Sequence, residues 1–160
     1  MKRFIILDID ETLLHSTYSN LKREADFCFK ERNVYLRPGV NTFLDFCFQH
    51  FDVAIWTSAK ADYAKFVLKR IAGDLTKFTF IWTRKDCDKE FKWNGISEDV
   101  VYIKNLNKIN PYPLLQITMI DDNTQNIYPV NADIIGIDEY RGNKEDDALI
   151  QIIEKLKSKI

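Results

Sequence analysis

Ile5, Ile6 and Leu7 lead directly into Asp8-Ile9-Asp10-Glu11-Thr12, and two carboxylates one residue apart at the end of an apolar run restrict a chain more than anything else in this sequence. The run is continuous rather than alternating, as in a central parallel strand covered on both faces. In an extended segment residues i and i+2 point the same way, so Asp8 and Asp10 would project together from the strand's carboxyl tip. A divalent cation can hold one of two such acids ionised as a nucleophile, while the other, with a raised effective pKa, carries protons. The bland alternative is a strand end followed by a solvated turn.

The rest of the chain repeats the arrangement. After a polar stretch to about Glu24, Phe27-Cys28-Phe29 and Val34-Tyr35-Leu36 suggest a small β-hairpin. Arg37-Pro38-Gly39 punctuates the chain, and Val40, Phe43, Leu44, Cys47, Phe48 and Phe51 then recur with helical spacing. Val53 to Trp56 is a second buried strand ending at Thr57-Ser58, and Ala64, Val67, Leu68 and Ile71 mark a helix closed by Lys69-Arg70 and Gly73. Phe78 to Trp82 reads as a third strand. Residues 84 to 99 read as a charged surface loop with a turn at Asn94-Gly95, followed by a short extended piece from Val100 to Ile103. Ile117 to Ile120 forms a strand ending in Asp121-Asp122, Ile134 to Ile137 another, and Leu149, Ile152, Ile153, Leu156 and Ile160 a final helix with Asn143 as candidate cap. Strands alternating with helices imply an α/β fold with an open, mostly parallel sheet.

Composition narrows the partners. At 160 residues and 46% hydrophobic content the chain fills one core, so a single domain over 1–160 is expected. Its 23 Lys plus Arg against 24 Asp plus Glu gives no global attraction to nucleic acid or membrane. Three cysteines without Cys-x-x-Cys spacing speak against a disulfide framework and a zinc site. Neither a secretory leader nor a membrane-length apolar stretch is apparent, which points to a soluble intracellular protein in a reducing compartment.

Ligands of open α/β sheets bind beyond the carboxyl ends of the strands. Polar groups stand at three such ends: Asp8 and Asp10, Thr57 and Ser58, Asp121 and Asp122. Lys104 lies between them in sequence. Taken singly, Thr57 reads as a helix cap, Lys104 as a solvated lysine and Asp121-Asp122 as a turn. Four carboxylates gathered together would repel one another, which makes a divalent cation and a lysine plausible companions. His15 and His50 have no partner pattern and read as packing or surface residues.

In this order the motifs resemble those of the haloacid dehalogenase superfamily. Leu7 to Ser16, Arg37-Pro38-Gly39, Trp56-Thr57-Ser58-Ala59 and Tyr102 to Leu106 resemble the small phosphatases that act on the C-terminal domain of RNA polymerase II, the NLI-interacting-factor-like domains. The segment before Lys104 is longer than in those phosphatases, and Asn123-Thr124 replaces their usual Ser-Pro. The resemblance implies a Rossmann-like core without a cap domain and a Mg²⁺-dependent phosphoserine/phosphothreonine phosphatase. Asp8 would form an aspartyl-phosphate, and Asp10 would protonate the leaving oxygen and then deprotonate water. Mg²⁺ would be held by the Asp8 side chain, the Asp10 carbonyl and the Asp122 side chain. Thr57, Ser58 and Lys104 would bind the phosphoryl oxygens, Asp121 would orient Lys104, and Thr12 would shape the turn that aims Asp10.

The stretches between Thr12 and Thr57 and between Thr57 and Lys104 hold room for a hairpin but no folded lid, so the site is expected to be open and to suit a phosphorylated side chain on a protein. Tyr63 resembles a pocket-lining aromatic of the polymerase phosphatases, with packing an equal alternative. Arg84 resembles a phosphate-proximal arginine of the same family. Two other functions remain: a catalytically silent peptide-binding adaptor, like the related mitochondrial import subunit, and a nucleic-acid end phosphatase. Retention of both Asp8 and Asp10 weighs against the first, and the near-neutral charge balance gives no support to the second.

Overall fold

A computed structural model describes residues 3–109 and 112–160; Met1 and Lys2, expected to lead straight into the first strand, lie outside them. In chain order the first elements are β1 (Phe4–Leu7), β2 (Leu14–Thr17), β3 (Phe27–Phe29), β4 (Arg32–Leu36), α1 (Val40–His50), β5 (Asp52–Trp56) and α2 (Ala61–Ala72). There follow β6 (Ile81–Trp82), β7 (Asp88–Trp93), β8 (Glu98–Asn105), β9 (Ile117–Asp121), β10 (Ile127–Tyr128), β11 (Asp133–Gly136) and α3 (Ala148–Lys157). Five strands form one sheet in the order β11-β9-β1-β5-β6, every neighbour parallel.

β1 takes the centre because all four of its residues are apolar and all are buried. Ile5 and Leu7 face the layer that contains Val40, Phe43 and Leu44 of α1, Val67 and Leu68 of α2, and Leu149 and Ile152 of α3. Phe4 and Ile6 face the opposite layer, built from Trp56, Met119, Leu106, Ile109 and Ile127. Helices α1, α2 and α3 therefore pack on one side, and the base of β8 with its following turns covers the other. Gly39 adopts φ 80° at the start of α1, and a Cβ there would stand 3.2 Å from Ile150 of α3. Only glycine accepts both the left-handed backbone and that approach without strain.

The hairpin of residues 27–36 forms as read, β3 pairing antiparallel with β4, and β2 adds a third strand to it in the order β2-β4-β3, with Leu14 opposite Leu36 and Thr17 opposite Asn33. β2 (Leu-His-Ser-Thr) has no apolar run to announce it and is fixed by its partner strand. Other expectations are corrected. The third core strand shrinks to Ile81–Trp82; a 3₁₀ turn at Leu75–Lys77 precedes Phe78–Phe80, of which Thr79 N still donates to Val53 O and Phe80 O still accepts from Ile55 N of β5. The loop of residues 84–99 is instead a 3₁₀ turn followed by β7, which pairs antiparallel with β8 from Asp88↔Ile103 to Trp93↔Glu98. The turn falls at Asn94-Gly95 as read: Gly95 has φ 97°, and Asn94 Oδ1 accepts from the Ile96 and Ser97 amides at 2.8 Å each. Asn143 does not cap the last helix. Its Oδ1 accepts from Glu145 N at 3.0 Å, while Asp147 stands at the cap position without a side-chain capping bond, its Oδ1 accepting instead from Gln151 Nε2 at 2.8 Å.

Arg37 is fully engaged although it is 1% exposed. It forms a two-pronged ion pair with Asp146, at 2.7 and 2.9 Å, and donates to the carbonyls of Glu11, Thr12 and Asp138. One buried guanidinium thus ties the loop after β1 to the segment before α3. Among the described residues no helix is long and apolar enough to cross a membrane.

Candidate active site

The register of the sheet assembles the site. Leu7 lies beside Ile120 of β9 and Ile55 of β5, so Asp8 and Asp121, one residue further on, and Thr57, two further on, meet at three adjacent strand ends. Lys104 arrives from β8, outside this sheet, and donates to Asp8 Oδ1 and Asp121 Oδ2, each at 2.6 Å. All three side chains are buried. Burial pushes the Asp8 carboxyl well above its ordinary range, with Asp121 and Asp10 adding to the effect and Lys104 opposing it. Burial alone would lower the Lys104 ammonium, but Asp8 and Asp121 outweigh it and hold the lysine protonated. Asp122 is raised by burial and by Asp121, against a hydrogen bond from Thr12.

Asp10 is turned away from that cluster. Its Oδ1 accepts from Tyr63 Oη at 2.5 Å and from Ser16 Oγ at 3.5 Å. Burial raises its pKa, with Tyr63 the largest opposing influence. Glu11, the next residue, adopts φ 63°, an uncommon conformation for a residue with a side chain. Glu11 O accepts from Tyr140 N at 2.8 Å and from Arg37, and its own N–H reaches Leu14 O at 2.7 Å. Its carboxylate holds His15 Nδ1 at 2.9 Å from both oxygens, so His15, read as partnerless, is paired and buried. Thr12 Oγ1 donates to Asp122 Oδ1 at 3.1 Å and accepts from Asp122 N at 3.2 Å. Thr12 therefore fastens the β1 loop to the β9 loop as well as sitting in the turn.

Thr57 is not the cap of α2, because that helix begins at Ala61 with Lys60 at the cap position; its Oγ1 instead accepts from Ala59 N at 3.1 Å. Asp8, Asp10, Thr57, Ser58, Lys104 and Asp122 share a polar well of about 180 Å³. Beside it opens a groove of about 640 Å³, walled by Tyr63 and Phe29 and by Arg32, Lys60 and Arg84. Tyr63 is 5% exposed and packs edge-on against Phe29, so it belongs to the core and to the groove wall at once. Arg84 donates Nε to Ser58 O at 2.8 Å and lies 4.9 Å over the Tyr102 ring. Sequence reasoning does not assign Ser16, Arg32 or Tyr102 to the site. Tyr102 precedes Lys104 by two residues on one strand, so the alternation of side chains offers a signal for it.

Oxygen atoms of Asp8, Asp121 and Asp122 lie within 4.8 Å of one another. Hard, partly desolvated carboxylates of this kind fit Mg²⁺, which takes oxygen ligands and keeps several waters. The Asp10 carboxyl stands outside that trio, engaged with Tyr63.

The family model described as NLI interacting factor-like phosphatase matches residues 3–160. The chain belongs to this phosphatase family, a branch of the haloacid dehalogenase superfamily. Among curated relatives it is 32% identical over 165 residues to phosphatase PSR1 of Saccharomyces cerevisiae, covering 97% of this chain and 36% of that protein. It is 30% identical over 142 residues to the CTD phosphatase-like protein 355R of Invertebrate iridescent virus 3, covering 76% and 75%. Among solved structures, that of the fission yeast RNA polymerase II CTD phosphatase Fcp1 (R271A, bound to beryllium fluoride) superposes with a TM-score of 0.65 at 18% identity. That match covers 99% of this chain and 52% of Fcp1, and it supports the fold.

Proposed function

We propose that this domain hydrolyses phosphoserine and phosphothreonine in protein substrates through an aspartyl-phosphate on Asp8, with Mg²⁺ held by the Asp8 and Asp122 side chains and the Asp10 carbonyl. One observation carries the reading: two carboxyls of a single turn occupy different surroundings, Asp8 bound to the buried Lys104 and Asp10 to the Tyr63 hydroxyl. That division suits a nucleophile and a proton carrier. Bound Mg²⁺ would supply positive charge that keeps Asp8 ionised and screens the phosphoryl oxygens.

In the first step the oxygen of Asp8 not engaged by Lys104 attacks phosphorus; the Asp8 O–P bond forms, the P–O bond to the side chain breaks, and Asp10 gives its proton to the departing alkoxide. Water then attacks the same phosphorus, Asp10 takes its proton, and the bond to Asp8 breaks to release phosphate. Lys104, Thr57 and Ser58 would hold the equatorial oxygens, where charge spreads in the transition state. Asp121, at 2.6 Å from Lys104, would keep the ammonium aimed into the well.

The open groove beside the well supports a polypeptide substrate, and the C-terminal domain of RNA polymerase II, named for the relatives, is the first to try. The test is a panel of phosphopeptides, phosphorylated sugars and 3′-phosphorylated oligonucleotides. Phosphopeptides should exceed sugars in kcat/KM by orders of magnitude. Tyr63→Ala should harm peptide turnover more than that of p-nitrophenyl phosphate. Preference for sugars or oligonucleotides would overturn the substrate assignment, and failure to release phosphate from any member would favour a silent adaptor.

A further inference from the structure

The outer half of the β7–β8 hairpin exposes apolar side chains that the fold does not use. Phe91, Trp93, Ile96 and Val100 are 63, 70, 89 and 43% exposed. Their placement is ordered. Register pairs Lys89 with Tyr102, Phe91 with Val100 and Trp93 with Glu98, and paired residues of antiparallel strands share a face. Along β8 that face carries Lys104, Tyr102, Val100 and Glu98. The strand face that delivers Lys104 into the catalytic well is therefore the face that bears Val100, Phe91 and Trp93 on the arm.

Between them lies a trough of about 290 Å³. Tyr102 lines both the well and this trough, which bridges the two. Lys60, Arg84, Lys85 and Lys89 line it, and among the described residues no carboxylate does. At about 3.4 Å per residue, Val100 stands roughly 14 Å and Glu98, opposite Trp93, roughly 20 Å along the strand from Lys104. A single surface thus runs from the reacting atoms past a mostly apolar trough bordered by four cationic side chains to an aromatic end.

We propose that this face docks the substrate polypeptide beyond the phosphorylated residue, acidic side chains lying over the Lys60–Lys89 trough and an apolar side chain packing against Phe91, Val100 and Trp93. The inference rests on the protein-phosphatase reading above. Continuity with the catalytic well and the charge of the trough select this occupant: an extended chain whose phosphoserine sits in the well reaches the aromatic end after roughly five or six residues.

The test uses the intact chain, p-nitrophenyl phosphate and two phosphoserine peptides. The short peptide has two residues on each side of the phosphoserine; the long one adds acidic residues and then leucines at the fifth to seventh positions on both sides. Wild type should favour the long peptide in kcat/KM by about tenfold, the scale of one well-packed apolar anchor. The double variant Phe91→Ser/Trp93→Ser should lose that advantage through KM while p-nitrophenyl phosphate and the short peptide stay within twofold. The emission of exposed Trp93 should shift to the blue when the long peptide binds.

Peptide turnover with no dependence on length, or a double variant that slows all three substrates alike, would overturn the docking proposal alone. Wild type active on p-nitrophenyl phosphate but on neither peptide would overturn the protein-phosphatase reading and the docking with it. Two further results would reassign the face: an equal loss on a 3′-phosphorylated oligonucleotide, to nucleic acid, and a dimer that the variant dissociates without kinetic change, to a second copy.

Discussion

At its inner end β8 places Lys104 between two buried carboxylates, and at its outer end the same strand leaves Val100 in solvent opposite Phe91. The inner end is determined many times over: Lys104 ties Asp8 to Asp121, Thr12 and Asp122 bond each other twice across loops distant in sequence, and Asn123 N donates to Asp121 within its own loop. The outer end is held by its own ladder and a tight turn. The contrast teaches that this domain places its costliest groups, buried charges, where the sheet cannot shift, and leaves its apolar surplus on an element whose loss the core would scarcely register.

The sharpest way to break the comparison is Asp8→Asn. Turnover should fall by about a thousandfold or more, as expected when a nucleophile is removed. The thermal midpoint should hold or rise, because burial already disfavours the Asp8 charge in the fold. A loss of activity accompanied by unfolding would show that Asp8 is structural. Arg37→Met comes next and acts on stability. Asp146 loses a two-pronged partner and three carbonyls lose a donor, so chemical denaturation should report about 3–5 kcal/mol of destabilisation; less than about 1 kcal/mol would mean the loop after β1 is held by other means.

Mg²⁺ should stabilise the inner end in a pH-dependent way. Burial raises the native pKa of Asp8, Asp10 and Asp122 above unfolded values. Their contribution to metal-free stability is therefore complete below the ordinary carboxylate range and is lost as pH rises through the raised values. A divalent cation offsets that loss and competes with protons for the same oxygens, so its thermal shift should be larger near pH 7.5 than near pH 5. At about a hundredfold excess over Kd the gain should be roughly 2.7 kcal/mol, or about 5–10 °C. Asp122→Asn should abolish it, EDTA should silence phosphate release, and Ca²⁺ should not restore activity; a shift that survives in Asp122→Asn would place the ion elsewhere.

A finer adjustment is Tyr63→Phe, which removes the 2.5 Å hydrogen bond to Asp10. That bond opposes burial, so its loss raises the Asp10 pKa further and keeps the proton donor loaded to higher pH. The alkaline limb of kcat/KM for a phosphopeptide should move up by about half to one pH unit, the equivalent of one hydrogen bond. A shift downward would remove Asp10 from the proton-donor role. The smallest effect belongs to the outer end: joining Glu90 to Val101 through Asn-Gly should leave the thermal midpoint within about 2 °C, as removal of exposed surface should. A large drop would show that the arm supports the core.

The same contrast governs how legible each region is in the sequence. β1, β5 and β9 are buried on both faces, so they read as near-continuous apolar runs, broken in β9 by Thr118, whose hydroxyl donates to Asp133, and the polar residues at their tips stand out against that background. Asp8, Asp10, Thr57 and Asp121-Asp122 can be read as polar strand ends for this reason and Lys104 only through the resemblance to the haloacid dehalogenase motifs, whereas the Thr12–Asp122 link and the turning of Asp10 toward Tyr63 depend on long-range register that no local pattern encodes. The arm reads as a loop because its alternation, Phe91 and Trp93 among charged residues, is too short to mark a strand; only Asn94-Gly95, where backbone geometry restricts residue choice, and the extended piece from Val100 to Ile103 show through. β2 escapes a local reading for a related reason, since Leu14 to Thr17 owe their extended form to β4. Asn143 is one of several polar residues before α3, and nothing local distinguishes a cap from the Asx turn it makes.

The most direct test of the mechanism is to find the phosphoryl group itself. Wild type mixed with Mg²⁺ and a phosphoserine peptide, quenched in acid within the first turnover and digested for mass spectrometry, should carry one phosphoryl group on Asp8, labile to hydroxylamine. Asp8→Asn should carry none. Turnover that proceeds with no phosphorylated enzyme at any quench time, or with the group on a residue other than Asp8, would contradict the assignment of Asp8 as the nucleophile.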